Sequence, residues 1–209
     1  MNITEVYEKL LSVLGHQHWW PADTPFEVAV GALLTQQTRW NNVECAISNL
    51  KEHSLLDPEA LAIIDIENLE ELIRCTGFYR QKAKRLKKLA EFFLINGDTL
   101  LVRRVDELRK DLLELDGVGD ETADSIILYA AHKPKFVIDA YTNRILACLG
   151  ISGNYRTLQH MFESELEPDV DLYKEYHALI VEYSKQYCQK KMCDDCILLK
   201  NGKPLYTEI

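Results

Sequence analysis

Long apolar runs are absent from this chain. Nothing in its 209 residues approaches the ~18 consecutive apolar residues of a membrane span, so no membrane partner is expected. The opening MNITEVYEKLL carries acids early and has no cleavage pattern, which predicts no secretory leader and an intracellular, cytoplasmic protein. Period-two alternation is missing as well. Apolar residues recur at helical spacings instead, which makes the expected fold class all-α. Excess positive charge is lacking: 24 Lys and Arg stand against 33 Asp and Glu, a net −9 that by itself argues against a nucleic-acid partner. Its distribution argues the other way. Glu52 to Glu71 holds seven acids and no Lys or Arg, whereas Arg74 to Lys88 holds seven Lys and Arg and no acid. A basic face on an acidic molecule still attracts phosphate, because exposed charges act over about one Debye length, ~8 Å at physiological salt. Six cysteines in an intracellular chain do not predict disulfides. Cys45, Cys75 and Cys148 fall in apolar patterns and are expected in the core, while Cys188, Cys193 and Cys196 cluster as C-x4-C-x2-C.

What is present is organised around Leu112 to Arg144. Val105, Leu108, Leu112 and Leu115 recur at helical spacing before a short hairpin, Asp116-Gly117-Val118-Gly119. After it, Ala123, Ile126, Ile127, Ala130 and Ala131 mark one face of a second helix. Two glycines suit a tight reversal, since glycine takes positive φ at little cost. Asp120, Glu121 and Thr122 suit the positive end of a helix dipole. Free amides at such a turn can hold a phosphate, although a plain αα-hairpin accounts for the pattern equally well. Further on, Asp139 follows an apolar run in Phe136-Val137-Ile138.

Taken in order, the chain predicts a helix over 4–14 capped by Thr4 and a strongly buried one through Phe26, Ala29, Val30, Leu33 and Leu34. Another runs from Val43 to Leu50, with two short segments over 55–74 and a basic helix over 81–95. The hairpin pair spans 105–132, and helices follow over 141–149, 155–166 and 171–187. Trp19-Trp20-Pro21 places adjacent aromatics that cannot both face one core. At least one of them is expected to line a surface or cleft; plugging a junction between subdomains is the plainer use. Gln36-Gln37-Thr38-Arg39-Trp40 forms a polar turn tipped by an aromatic.

L-D-G-V-G-x-x-T-A followed by V-I-D resembles the helix-hairpin-helix and aspartate signature of the endonuclease III superfamily of DNA glycosylases. The Gly/Pro-rich segment between them is reduced to Pro134. Leu33-Leu34-Thr35-Gln36-Gln37-Thr38, Gly77-Phe78-Tyr79-Arg80-Gln81-Lys82-Ala83 and the C-terminal cysteines extend the resemblance over most of the chain. It implies a six-helix domain over 22–132 that contains the hairpin at about 105–132. Residues 1–21 and 133–209 would form a second helical domain, with a substrate cleft between the two. It implies damaged double-stranded DNA as partner and a monomeric enzyme of base-excision repair. Asp139 would stabilise the oxocarbenium formed as the base leaves. Gln36, Gln37, Thr38, Gly77, Tyr79, Lys82, Gly117, Val118 and Gly119 would contact DNA, with Gln36 filling the gap left by the flipped base.

Two departures refine this. Bifunctional members read G-V-G-x-K-T-A, and their lysine attacks the sugar; here Glu121 stands at that position and cannot form a Schiff base. As an acid at a helix start, Glu121 also needs no function. With Trp19, Trp20, Pro21 and Trp40, it resembles the 3-methyladenine DNA glycosylase III branch, which implies a base pocket of those five residues. A cationic alkylpurine suits aromatic faces and a carboxylate. The implied activity is monofunctional excision of alkylated purines. Excision of oxidised pyrimidines or mismatched bases, and a non-catalytic DNA-binding module, are the alternatives. The superfamily's four-cysteine loop, C-x6-C-x2-C-x5-C, is incomplete: the first gap is short and Gly202 stands at the fourth position. Cys188, Cys193 and Cys196 are therefore expected to form a vestigial or incomplete 4Fe-4S site, and catalysis needs no cofactor.

Overall fold

The computed structural model describes residues 2–17, 22–192 and 194–199, and among these residues there is no strand. The chain divides into two compact units.

The unit of residues 20–133 is continuous in sequence. It contains α2 (Pro25–Leu34), α3 (Trp40–Glu52), α4 (Pro58–Ile63), α5 (Ile66–Leu72), α6 (Tyr79–Asn96), α7 (Val105–Leu113) and α8 (Asp120–Ser125), which runs on into a π-turn, Ile126–Ala130. α2 is its axis. Every residue from Phe26 to Leu34 is buried, including Glu27. Pro25 at the first helical position and Thr24, whose side chain accepts from Glu27 N at 3.1 Å, start it. α6, α3, α8 and the π-turn pack around it. On the far side, α6 carries α4 and α5, which begin at Asp57 and Asp65, both N-caps.

The unit of residues 1–19 and 134–209 is discontinuous. It pairs α1 (Ile3–Leu14) with α9 (Ala140–Cys148), α10 (Tyr155–Glu165) and α11 (Val170–Tyr183), the last continuing as a π-turn, Ser184–Cys188. α11 packs on α1 and α9, over an aromatic core. Phe136 stacks on Phe162 at 4.0 Å, and Tyr173 and Tyr176 meet Phe136 edge-on. The Tyr176 hydroxyl donates to Ile3 O at 2.7 Å, fastening the N-terminal helix to the C-terminal one.

Several local expectations change. The cap of α1 is Asn2, not Thr4: Asn2 Oδ1 accepts from Glu5 N at 2.7 Å and Glu5 Oε2 accepts from Asn2 N at 3.2 Å. That reciprocal capping box satisfies two otherwise orphaned amides, which Thr4 would not. α3 begins at Trp40, three residues before the expected start. Cys45 is exposed, and Cys75 and Cys148 are half-buried, so none belongs to the core.

Candidate active site

In the continuous unit the hairpin is built on Gly117, at φ +78°. Gly119 is extended, at φ −94°, so only one of the two glycines needs its conformational freedom. A methyl group added to Gly117 would lie 2.0 Å from Arg85 Nε, whereas one added to Gly119 would meet nothing within 4 Å. The first glycine lets an arginine lie flat on the backbone; the second leaves open space where α8 starts. The hairpin is pinned from both sides. Arg109 on α7 reaches Asp124, fully buried on α8, through Nε at 2.7 Å and Nη2 at 3.1 Å, and also Asp120. Gln36 Nε2 donates to Gly117 O at 2.8 Å and to Thr122 Oγ1 at 3.0 Å, and Arg85 lies against Gln36 Oε1 and Asp116 Oδ2.

These contacts redistribute the expected DNA ligands. The Gln36 amide is tied to the hairpin and does not project to fill a gap. Its neighbour Gln37 is exposed, at φ +54°, a backbone conformation that costs a non-glycine residue energy. Thr38 Oγ1 accepts from Asn42 Nδ2 at 3.0 Å. Val118 is buried, and its amide donates to Leu115 O at 3.0 Å within the turn, so it offers a phosphate nothing.

Lys82 is a correction. It is 2% exposed, and its Nζ donates to Leu34 O and Thr76 O at 2.9 Å each. It ties the C-terminal end of α2 to the loop before α6 and cannot reach DNA. Burial pushes its amine down to about 8. Elsewhere in the basic run Arg74, Arg80, Lys84 and Lys88 are exposed, and Arg85 and Lys87 are half-buried. Lys87 Nζ donates to the Ala62 and Ile64 carbonyls at the end of α4, Arg74 pairs with Glu71, and Arg80 lies 3.8 Å from Glu70.

The residue that sequence reasoning missed is Phe78. It follows Gly77, at φ +66°, and is itself left-handed at φ +47°, ψ +26°. Its side chain is 62% exposed at the start of α6. Beside it, the guanidinium groups of Arg74 and Arg80 lie 5.6 and 5.8 Å from the centre of the Tyr79 ring.

Of the expected base-pocket residues, Trp19, Trp20 and Pro21 lie outside the described residues. Trp40, with Ala22, Glu27, Gly31, Glu44, Ile47, Ser48 and Lys51, lines a cavity of about 240 Å³ between α2 and α3. Two carboxylates line it, Glu27 and Glu44, and Glu27 is held by Lys51 Nζ at 2.8 Å and Asp23 N at 3.0 Å. Glu121 is exposed in the first turn of α8 and is not part of that lining.

In the discontinuous unit Asp139 is the N-cap of α9. Its Oδ1 accepts from Thr142 N at 2.7 Å and Thr142 Oγ1 at 2.8 Å, and its Oδ2 lies 3.5 Å from His177 Nε2. Burial alone would raise this carboxyl's pKa. The contact with His177 and its charge, then the Thr142 bonds, outweigh burial and hold it below the ordinary carboxylate range. Asp139 is therefore ionised at neutral pH.

Burial pushes the Cys188 thiol up to about 11, and Cys196 Sγ accepts from the Tyr183 hydroxyl at 3.3 Å. Among the described residues no three Cys, His, Asp or Glu side chains are grouped to hold a metal. Cys193 and Gly202 lie outside the described residues.

A hairpin pinned between two helices, followed by an ionised helix-cap aspartate, is the arrangement whose sequence pattern a family model matches over residues 30–168. The chain belongs to the HhH-GPD superfamily of base excision DNA repair proteins. This HhH-GPD protein is 49% identical over 203 residues to a provisionally named DNA repair glycosylase of Methanocaldococcus jannaschii, covering 93% of this chain and 92% of that one. It is 32% identical to the endonuclease III of Thermotoga maritima, covering 87% and 84%. It also superposes on the 3-methyladenine DNA glycosylase of H. pylori, solved with 1,N6-ethenoadenine, with a TM-score of 0.78 and 30% identity over 89% of this chain and 98% of that one. The HhH-GPD chain is thus a DNA glycosylase of base excision repair, and damaged DNA is its substrate. No helix among its described residues is long and apolar enough to cross a membrane.

Proposed function

We propose that this glycosylase is monofunctional and releases alkylated purines of the 3-methyladenine type by hydrolysis. The observation that carries the reading is Glu121. It occupies the first turn of α8, where bifunctional relatives would need a lysine, and a carboxylate cannot form a Schiff base with the sugar. Lys82, whose amine burial pushes down to about 8, is buried and held by two carbonyls, which leaves it poorly suited to substitute. The likeness to the H. pylori enzyme, named for 3-methyladenine and solved with a modified adenine, supports the substrate class. N3-alkylated adenine is cationic and already has a labile glycosidic bond, so it needs no acid to protonate the leaving base.

The chemistry then falls to Asp139. As the glycosidic bond lengthens, positive charge develops on the deoxyribose, and a fixed, ionised carboxylate lowers its energy. With Oδ1 held by Thr142 and Oδ2 beside His177, the fixed carboxylate would meet that charge or orient the attacking water. Extruding the base leaves a hole in the stack. Phe78, exposed and held in a left-handed conformation, is suited to wedge into it, and Gln37, also exposed, could offer an uncharged amide.

Incubating the protein with methylated duplex DNA and separating the products by chromatography is expected to yield free 3-methyladenine. A duplex containing thymine glycol should yield none. The 32% identity to the T. maritima endonuclease III favours a second reading, release of oxidised pyrimidines, and thymine glycol release without alkylpurine release would establish it. Borohydride is expected to trap no protein–DNA adduct and no strand should be cut. A trapped band on a denaturing gel would show that another amine performs the role that Glu121 cannot.

A further inference from the structure

The Asp139 carboxylate presents its two oxygens to different elements. Oδ1 is held by Thr142 of its own helix, while Oδ2 faces His177, which comes from α11 more than thirty residues away in sequence. His177 is 4% exposed and is followed on α11 by the buried Ala178, Leu179, Ile180 and Val181. A packing role at such a position is filled at less desolvation cost by an apolar side chain. Burying an imidazole with Nε2 3.5 Å from a buried carboxylate oxygen answers a different requirement.

We infer that His177 is a positioning residue for Asp139: with its proton on Nε2, it steadies the second carboxylate oxygen and keeps the group ionised in a site from which water is largely excluded. This rests on the reading of Asp139 as the carboxylate that meets the developing oxocarbenium. At 3.5 Å the contact is long for a direct hydrogen bond, so the Nε2–H dipole acts on the carboxylate oxygen at close range, where burial strengthens it. Other ionisable groups brought against α11 and its π-turn include Tyr7 from α1, His16, Glu163 and Glu165 from α10, Glu167, Arg144 and Cys148 from α9, and Cys196. Those contacts fall on Tyr173, Glu175, Tyr176, Tyr183 and Cys188; the ion-pair contact with Asp139 is made by His177. The direction of the Asp139 pKa agrees. Burial raises it, and His177 is the largest influence bringing it back down. Without the imidazole the carboxyl should titrate at higher pH, so the acid limb of the rate profile should move up with it.

The test uses the full chain with His177→Leu, His177→Gln and, as reference, Asp139→Asn, in single-turnover excision from alkylated duplex DNA. His177→Leu is expected to slow excision about tenfold or more at neutral pH, since small misplacements of reacting groups carry costs up to ~10²-fold. Its DNA affinity should be retained and its acid limb shifted upward. His177→Gln keeps an N–H donor and should recover much of the rate. A ¹³C titration of the Asp139 carboxyl, which needs no activity, should show a higher midpoint in His177→Leu than in the wild type. The inference is overturned if that midpoint is unchanged, if the rate loss only follows a fall in thermal stability, or if Gln rescues no better than Leu. If His177→Leu does not fold, His177→Phe takes its place in the same comparison, with an unchanged carboxyl midpoint and acid limb counting against the inference. Retained excision in Asp139→Asn would instead remove the role given to Asp139, while the carboxyl titration would still judge the pairing itself.

Discussion

Asp139→Asn is expected to lower the rate of base release at least ~10²-fold while leaving most of the affinity for damaged DNA. The asparagine side chain keeps an oxygen for the cap bonds from Thr142 N and Oγ1, so α9 should still start where it does. What is lost is the charge facing the sugar, and removing one preorganised electrostatic group commonly costs 10²–10³ in rate. Single-turnover excision measured beside a binding titration separates the two effects. Turnover close to wild type would remove Asp139 from the chemistry.

The largest effect on stability is expected from Lys82→Met. The substitution keeps the length of the side chain but leaves the Leu34 and Thr76 carbonyls without their donor in a buried site. Each orphaned group costs about 1–3 kcal/mol, partly offset by no longer burying a charged amine, for a net loss of about 2–4 kcal/mol at pH 7. The pH dependence provides a signature. In the folded protein the amine titrates at about 8, against an ordinary 10.5 when exposed. Between these values the unfolded chain binds the extra proton, so this group's contribution to stability rises with pH. The deficit of the variant should therefore be smallest below pH 8 and grow towards pH 10.5. Denaturant unfolding at pH 7 and pH 10 checks both points. A difference that is flat or narrows with pH would contradict the assignment.

Lys82 also marks the limit of what the sequence could show. The helices were legible because apolar spacing follows burial directly: Phe26 to Leu34 announced the axis of its unit, and Val105 to Ala131 announced the hairpin pair. Charge is different. Seven cations in fifteen residues looked like one face, yet a lysine can bury its whole length when carbonyls at a helix end accept its protons, and nothing in the run distinguishes Lys82 from Lys84. Asn2 and Thr4 both have side chains that can cap; the choice fell to Asn2 because Glu5 stands three residues on and completes the box. Gln36 looked like the residue to fill a gap in DNA because glutamine is versatile, and that versatility is what fastens it to Gly117 and Thr122 instead. Phe78 was missed because neither an exposed phenylalanine nor a positive φ at a bulky residue has any signal in composition or periodicity. His177 sat within an apolar pattern, and only the fold brings it to Asp139.

Gln37 and Phe78 share one property: each is a side-chain-bearing residue where the backbone would be more comfortable as glycine. Strain of this kind is of order 1 kcal/mol or more per position, and neither side chain is buried deeply enough to repay it in packing. A search for hardier variants, scored by heat resistance alone, would therefore be drawn to Gln37→Gly and Phe78→Gly, and would harvest proteins that last longer and repair less.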